Sequence, residues 1–156
     1  MSQTYVSPGP RSTVPSARSL TLRDAVYDTL LALHLISAAI SFVTIVMFSA
    51  WAAGAPVTRG GFALSDAAWN LSGAGLLIFG VWLALYVDGY ELWDGWILGA
   101  LVLFAAVSVF GAQARTPVLA QLDAEAATER QVTMWHWLRT LALVGILVLM
   151  VWKPGA

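Results

Sequence analysis

The chain has 156 residues, of which 59% are hydrophobic and 11% are charged. An ordinary soluble domain carries about a quarter charged residues, so this composition indicates that much of the chain lies in lipid. The absence of cysteine excludes disulfide frameworks, thiolate metal sites and cysteine nucleophiles. The net charge of -1 offers no basic surface for nucleic acid, so no nucleic-acid partner is expected.

The first predicted span follows a polar N-terminal tail. Residues 1–22 contain three prolines among serine, threonine and arginine, a composition that predicts a disordered tail. His34 is the only ionisable residue from Thr29 to Ala53, and this apolar run exceeds the roughly 20 residues that cross a bilayer. We therefore place a membrane domain over residues 23–156, with its first span at about 27–53.

Two further apolar runs lie close together in the sequence. Ser65 and Asp66 provide N-cap chemistry for a second span at about 67–88. A short acidic turn leads to a third span at about 94–114, and helices joined so briefly are expected to be antiparallel neighbours. The turn contains three carboxylates that could either bind a hard cation or be solvated. They are Asp88, Glu91 and Asp94.

An amphipathic segment follows the third span. Thr116 and Pro117 form a typical helix start, and residues 117–130 have one apolar side and one charged side. This pattern predicts a short amphipathic helix outside the hydrocarbon, either lying on the interface or extending the next span.

The fourth span is expected at about 132–152. Its continuous apolar run is too short to cross the bilayer, so the span must begin several residues earlier and carries His136 and Arg139 into the membrane. Tryptophan and tyrosine cluster near the predicted helix ends, as is typical of the two headgroup levels. The sequence thus predicts an all-α, polytopic membrane protein, built as an antiparallel bundle of four transmembrane helices. We call the membrane face that holds both termini side A and the opposite face side B.

The positive-inside rule gives a balanced count, because four basic residues fall on each side. On side A these are Arg11, Arg18, Arg23 and Lys153, and on side B they are Arg59, Arg115, Arg130 and Arg139. If the first helix dominates, the three arginines that precede it place the N-terminus in the cytoplasm.

Polar residues recur along one face of the first span at steps of three and four. They form a polar stripe of His34, Ser37, Ser41 and Thr44. Small and hydrogen-bonding residues at this spacing are typical of helix association in lipid, where backbones approach closely. The stripe is expected to face the bundle, either as packing or as the wall of a polar conduit.

A second group of polar residues is predicted to meet near side B. It consists of Asn70, Gln113, His136 and Arg139. A charge within the lipid costs on the order of 2.5 to 3.5 kcal/mol, so Arg139 needs a partner or a route to water. Its side chain could snorkel to the headgroups. Alternatively, a buried contact with Asn70, Gln113 or Asp66 would form an anion-attracting or headgroup-binding pocket.

The two histidines are the candidate ligands for a haem held within the bundle. Their predicted depths differ by roughly 18 Å, so one iron cannot reach both His34 and His136. Met134 with His136 lacks the thiolate that a soft copper site prefers. No cofactor and no metal site are therefore expected.

Three segments carry a resemblance to a known family: Leu33-His34, the stretch from Trp137 to Arg139, and the stretch from Leu149 to Gly155. They resemble a bacterial family of small predicted integral membrane proteins of unknown function, whose last helix closes with a Met-x-x-Lys-Pro pattern. The chain is also distantly similar to the membrane domain of copper-resistance proteins. The resemblance implies a four-helix bundle in the bacterial plasma membrane, and it implies no activity.

Two functions are compatible with this sequence. The first is a non-enzymatic structural or accessory subunit that lies in the bilayer and associates with itself or with a larger membrane complex. The second is a small transport or ligand-binding protein that uses the polar group near side B. An enzyme is not expected, because the spans contain no deep carboxylate, no thiol and no recognisable catalytic motif.

Overall fold

The computed structural model describes residues 17–124 and 129–153. These residues form four α-helices, which are α1 (Ala17–Ala52), α2 (Arg59–Tyr86), α3 (Gly95–Ala124) and α4 (Glu129–Trp152). Each helix contains a stretch that is long and apolar enough to cross a membrane. The predicted all-α bundle of four transmembrane helices is confirmed.

The helices pack as two hairpins that are joined through α1 and α4. The first hairpin pairs α1 with α2, and the second pairs α3 with α4. In the second hairpin, leucines pack over glycines reciprocally: a Cβ on Gly99 would lie 2.9 Å from Leu149 Cδ1, and one on Gly145 would lie 2.9 Å from Leu103 Cδ1. Such close packing of small residues is the main attraction between helices in lipid.

The helices α2 and α3, which the short turn predicted to be antiparallel neighbours, meet mainly through large side chains. The Phe104 ring reaches toward Gly73, and the Trp69 indole reaches toward Gly111. Because these rings fill the space between the two helices, the backbones of α2 and α3 stay farther apart than those within either hairpin.

Two helices begin earlier than the sequence predicted. Thr58 caps α2, since its Oγ1 accepts a hydrogen bond from the Gly61 backbone N–H at 3.1 Å. The predicted N-cap at Ser65 and Asp66 is therefore wrong, because Thr58 satisfies the helix start two turns earlier. Residues 17–22, which the composition placed in a disordered tail, belong to α1, and residues 1–16 lie outside the described part of the chain.

The predicted helix start at Thr116 and Pro117 is also wrong, because α3 continues through Pro117 to Ala124. A proline within a helix leaves the carbonyl four residues earlier without its donor, here that of Gln113. Gln113 is exposed near side B, where water can satisfy this carbonyl. The part of the predicted amphipathic helix that is described, residues 117–124, thus extends the third helix, and residues 125–128 are not described.

The polar stripe of α1 lies against α2. Ser37, Ser41 and Thr44 are buried, and His34 is half-buried. A Cβ on Gly80 would lie 3.0 Å from His34 Cε1, and a Cβ on Gly75 would collide with Ser37 Oγ. The two helices can therefore approach closely only because glycine occupies these positions on α2.

The hydroxyl groups of the stripe do not form a continuous chain of hydrogen bonds with one another. Ser37 donates to the Leu33 carbonyl at 2.8 Å, and Thr44 donates to the Ser41 carbonyl at 2.9 Å. Ser41 Oγ donates to Ser72 Oγ at 2.8 Å and so links α1 to α2. These bonds favour packing over a polar conduit, because most of the donors end on backbone carbonyls.

The acidic turn at side A uses its carboxylates for structure. Asp88 forms an ion pair with Arg23 at 2.8 Å, and the Asp94 carboxylate accepts from the Glu91 backbone N–H at 3.1 Å. Lys153 Nζ donates to the Tyr90 hydroxyl at 2.6 Å. These contacts join the start of α1 and the end of α4 to the turn between α2 and α3.

The close approach of α1 and α2 predicts unequal effects at two glycines of the same helix. Gly75→Ala should lower the free energy of unfolding by about 1 to 3 kcal/mol, because the new methyl group displaces Ser37. Gly73→Ala should be neutral or slightly stabilising, since its methyl would lie 3.8 Å from Phe104 Cζ, an ordinary contact. The free energy of unfolding of both variants can be measured in mixed micelles with increasing dodecyl sulfate. Equal stability of the two variants would contradict the packing described.

Candidate functional site

Arg139 of α4 lies inside the bundle rather than at its surface. Its side chain reaches between a phenylalanine of α1 and a tryptophan of α2, and only 4% of the residue is exposed. The Cζ atom is 4.4 Å from the centre of the Phe48 ring and 4.7 Å from the centre of the Trp69 ring. The option that Arg139 snorkels to the headgroups is therefore wrong, because the two ring faces attract the guanidinium into the protein.

His136 lies one turn before Arg139 on α4, is 2% exposed and connects the arginine to α1. Arg139 Nη2 donates to His136 Nδ1 at 3.1 Å. Since a guanidinium can only donate, Nδ1 must accept, and the ring proton lies on Nε2. Nε2 then donates to Ser49 Oγ at 2.9 Å, and the Ser49 hydroxyl donates to the Ile45 carbonyl at 2.8 Å. We call Arg139, His136 and Ser49, with the rings of Phe48 and Trp69, the arginine latch.

The arginine latch borders a small pocket that opens toward side B. The pocket has a volume of about 50 Å³ and is lined by residues of all four helices. Its charged lining residues are Asp66, Arg115 and Arg139. Asp66 pairs with Arg115 at 3.3 Å, so the described residues of the lining carry one positive charge in excess. The Arg139 Nε atom is buried and has no hydrogen-bond partner in the described part of the chain.

The structure brings together only two of the four residues predicted to meet near side B. His136 and Arg139 are in contact, whereas Asn70 and Gln113 are exposed. Asn70 donates to the backbone carbonyl of Asp66, in its own helix, at 2.7 Å. Successive residues of a helix differ by about 100° in direction, and α2 turns the neighbouring Trp69 inward. Asn70 therefore points away, and the predicted four-residue cluster is not formed.

Gln113 is turned outward for a similar reason. Ala114, its neighbour on α3, is buried, and both Ala114 and Gly111 line the pocket. The Arg139 side chain passes these small residues at ordinary contact distance: a Cβ on Gly111 would lie 3.6 Å from Arg139 Nη1. The face of α3 that lines the pocket thus carries Gly111 and Ala114 and not the side-chain amide of Gln113.

Sequence reasoning did not identify the aromatic and hydroxyl partners of Arg139. Phe48 continues the spacing of the polar stripe, and this position on the inward face of the first span was the available signal. Trp69 and Ser49 gave no such signal. A tryptophan near a helix end is typical of the headgroup level, and Ser49 lies outside the stripe's spacing.

The two histidines are held far apart. His136 contacts Ser49, and His34 lies fifteen residues before Ser49 on α1, which corresponds to about 22 Å along the helix. The two imidazoles therefore cannot share one ion or one haem iron. Within residues 17–124 and 129–153, the structure shows no group of three or more histidine or acidic side chains placed to hold a metal.

Comparisons with protein-family models, with curated proteins and with solved structures find no match for this chain. The class of protein is instead defined by the fold. It is a multi-pass membrane protein of four helices, with a buried arginine at the junction of its two hairpins.

The geometry of the arginine latch predicts that lysine cannot replace Arg139. Arg139→Lys should lower the free energy of unfolding by about 1 to 2 kcal/mol, because an ammonium cannot stack between two rings while it donates to His136. Arg115→Lys at the exposed rim is the matched control and should change stability by about 0.5 kcal/mol or less. Unfolding in mixed micelles compares the two variants. Equal losses of stability would show that the rings do not hold the guanidinium.

Proposed function

We propose that this chain is a non-enzymatic integral membrane protein that serves as a structural or accessory subunit, associating with itself or with a larger membrane complex. The observation that carries the proposal is the size of the pocket among the helices. Its volume of about 50 Å³ is well below the roughly 300 to 1,000 Å³ of an ordinary ligand site. The polar groups around it are mostly bonded to one another, so the interior is organised to hold helices together.

The outer surface supports the same proposal. Each helix presents large apolar side chains outward, such as Phe42 on α1, Leu71 on α2, Val102 on α3 and Leu141 on α4. In a bilayer these side chains contact acyl chains or the helices of another protein. The bilayer is thus the first partner that we propose, and a second membrane chain is the next.

We place the protein in the bacterial plasma membrane, on the strength of the family resemblance in its first and last spans. The N-terminus is proposed to be cytoplasmic, because three arginines precede the first span and the first span usually dominates orientation. The C-terminus then shares that side, since the described part of the chain has four candidate spans.

This topology predicts the behaviour of fusions at the two ends of the chain. Green fluorescent protein should fluoresce, and alkaline phosphatase should be inactive, at both termini in a bacterial host. Active phosphatase at both ends would show that both termini lie outside the cytoplasm, which contradicts the proposed orientation but not the four spans. Opposite results at the two ends would contradict an even number of spans.

The proposed association with another chain predicts crosslinks from one outward face. The chain has no cysteine, so a single introduced cysteine carries a benzophenone reagent at one known position. Variants at Phe42, Leu71, Val102 and Leu141 test the four helices in native membranes. We expect a discrete protein adduct from at least one position and lipid adducts from the others. A matched variant at the buried Ser72 should give no intermolecular product. Lipid adducts alone at all four outward positions would contradict an accessory role.

A second candidate function is favoured by the unpartnered Nε atom of Arg139. A buried donor with no acceptor beside a pocket of excess positive charge is the arrangement expected of a ligand-binding or transport site. Arg139→Leu separates the two candidates. A ligand-binding protein would lose binding, whereas an accessory subunit would keep the crosslinks that identify its partner.

A further inference from the structure

The pocket near side B is lined by charges of both signs. Among the described residues, Asp66 is the only carboxylate in the pocket lining, and it pairs with Arg115. The same carboxylate also acts electrostatically on Arg139, so the two arginines share one negative charge. A buried ion is costly unless it is paired, and aromatic faces attract a cation without neutralising it. One negative charge in the pocket would bring the three charged side chains and their ligand to neutrality.

The donors available to such a charge lie on Arg139. Its Nη2 donates to His136, and its Nε has no partner in the described part of the chain. Its Nη1 lies on the side of Gly111 in α3. An acceptor beside Nε would thus meet an N–H group that has no partner among the described residues.

The size and the apolar lining of the pocket restrict what could bind. A volume of about 50 Å³ holds roughly three to five waters at 10 to 15 Å³ each, or one small ion with little of its hydration shell. Phe48, Trp51 and Phe62 form much of the wall and offer no strong hydrogen-bond donors around the pocket beyond the Trp51 indole N–H. A multiply charged oxyanion needs several strong donors to replace its hydration, whereas a weakly hydrated monovalent anion needs few.

We propose that this pocket binds one small monovalent anion of about the size of chloride, held beside the Arg139 guanidinium at the junction of the two hairpins. The proposal rests on the second candidate function and names its ligand class, and it does not depend on an accessory role. Because the anion would neutralise the arginine that joins α4 to α1 and α2, its binding would stabilise the bundle.

Thermal unfolding of the purified full-length chain in a neutral detergent tests this proposal. Sodium chloride is exchanged for sodium gluconate at constant ionic strength, because gluconate is a monovalent anion too large for the pocket. The melting temperature should rise with chloride and reach a plateau, because a ligand that binds only the folded state stabilises it by mass action. Bromide should act like chloride. An equal rise with gluconate would overturn the proposal.

Two variants assign the effect to the pocket. Arg139→Leu should abolish the dependence of the melting temperature on chloride. Asp66→Asn should lower the chloride concentration that gives half of the effect, because it removes the negative charge from the lining. Asp88→Asn removes a carboxylate from an arginine ion pair at side A and is the matched control, which should leave the chloride dependence unchanged.

The outcomes remain decisive even if Arg139→Leu does not fold. A chloride response that is the same in Asp66→Asn and in Asp88→Asn would overturn the proposal without that variant. Stabilisation by phosphatidylglycerol in chloride-free buffer, enhanced by Asp66→Asn, would assign the pocket to a lipid phosphate and would likewise overturn it. Neither result bears on the crosslinks, so failure of the anion site and failure of the accessory role are distinguishable.

Discussion

The guanidinium of Arg139, stacked between Phe48 and Trp69 and bonded to His136, is the interaction on which the arrangement of the four helices depends. Each hairpin can form from its own close contacts between glycines and larger side chains. Joining the hairpins is different, because α4 touches α1 over a limited length. In lipid no hydrophobic effect drives one helix toward another, so directional contacts must select the partner. The arginine latch supplies such contacts from α4 to both α1 and α2.

The number and the length of the spans could be predicted from the sequence because the bilayer imposes them. A run of about 20 apolar residues has few alternatives to a transmembrane helix. The helix boundaries were less predictable, since a cap or a proline acts only through its local surroundings. Thr58 began α2 two turns before Ser65, and Pro117 did not interrupt α3.

The site was partly predictable for a related reason. The short fourth span required His136 and Arg139 to enter the membrane, and the structure buries both. The rotation of α2 and α3 about their own axes could not be predicted from the residue spacing. It depends on which side chains of the other helices pack against Trp69 and Gly111. A rotation of one residue decides whether Asn70 faces the interior or the outside. The sequence therefore located Arg139 within the fourth span, but it did not decide between snorkelling and burial and did not identify the rings that hold the guanidinium.

Stability alone does not explain why an arginine occupies this position. Buried ionic groups can often be replaced by apolar residues of similar volume with no loss of stability. A charge that is retained in the interior therefore points to something that apolar packing cannot provide, either a unique alignment of the two hairpins or a negatively charged ligand. The two explanations are compatible, because the same guanidinium lies on the junction and borders the pocket. An anion bound there would make the alignment of the hairpins respond to the ionic composition at side B.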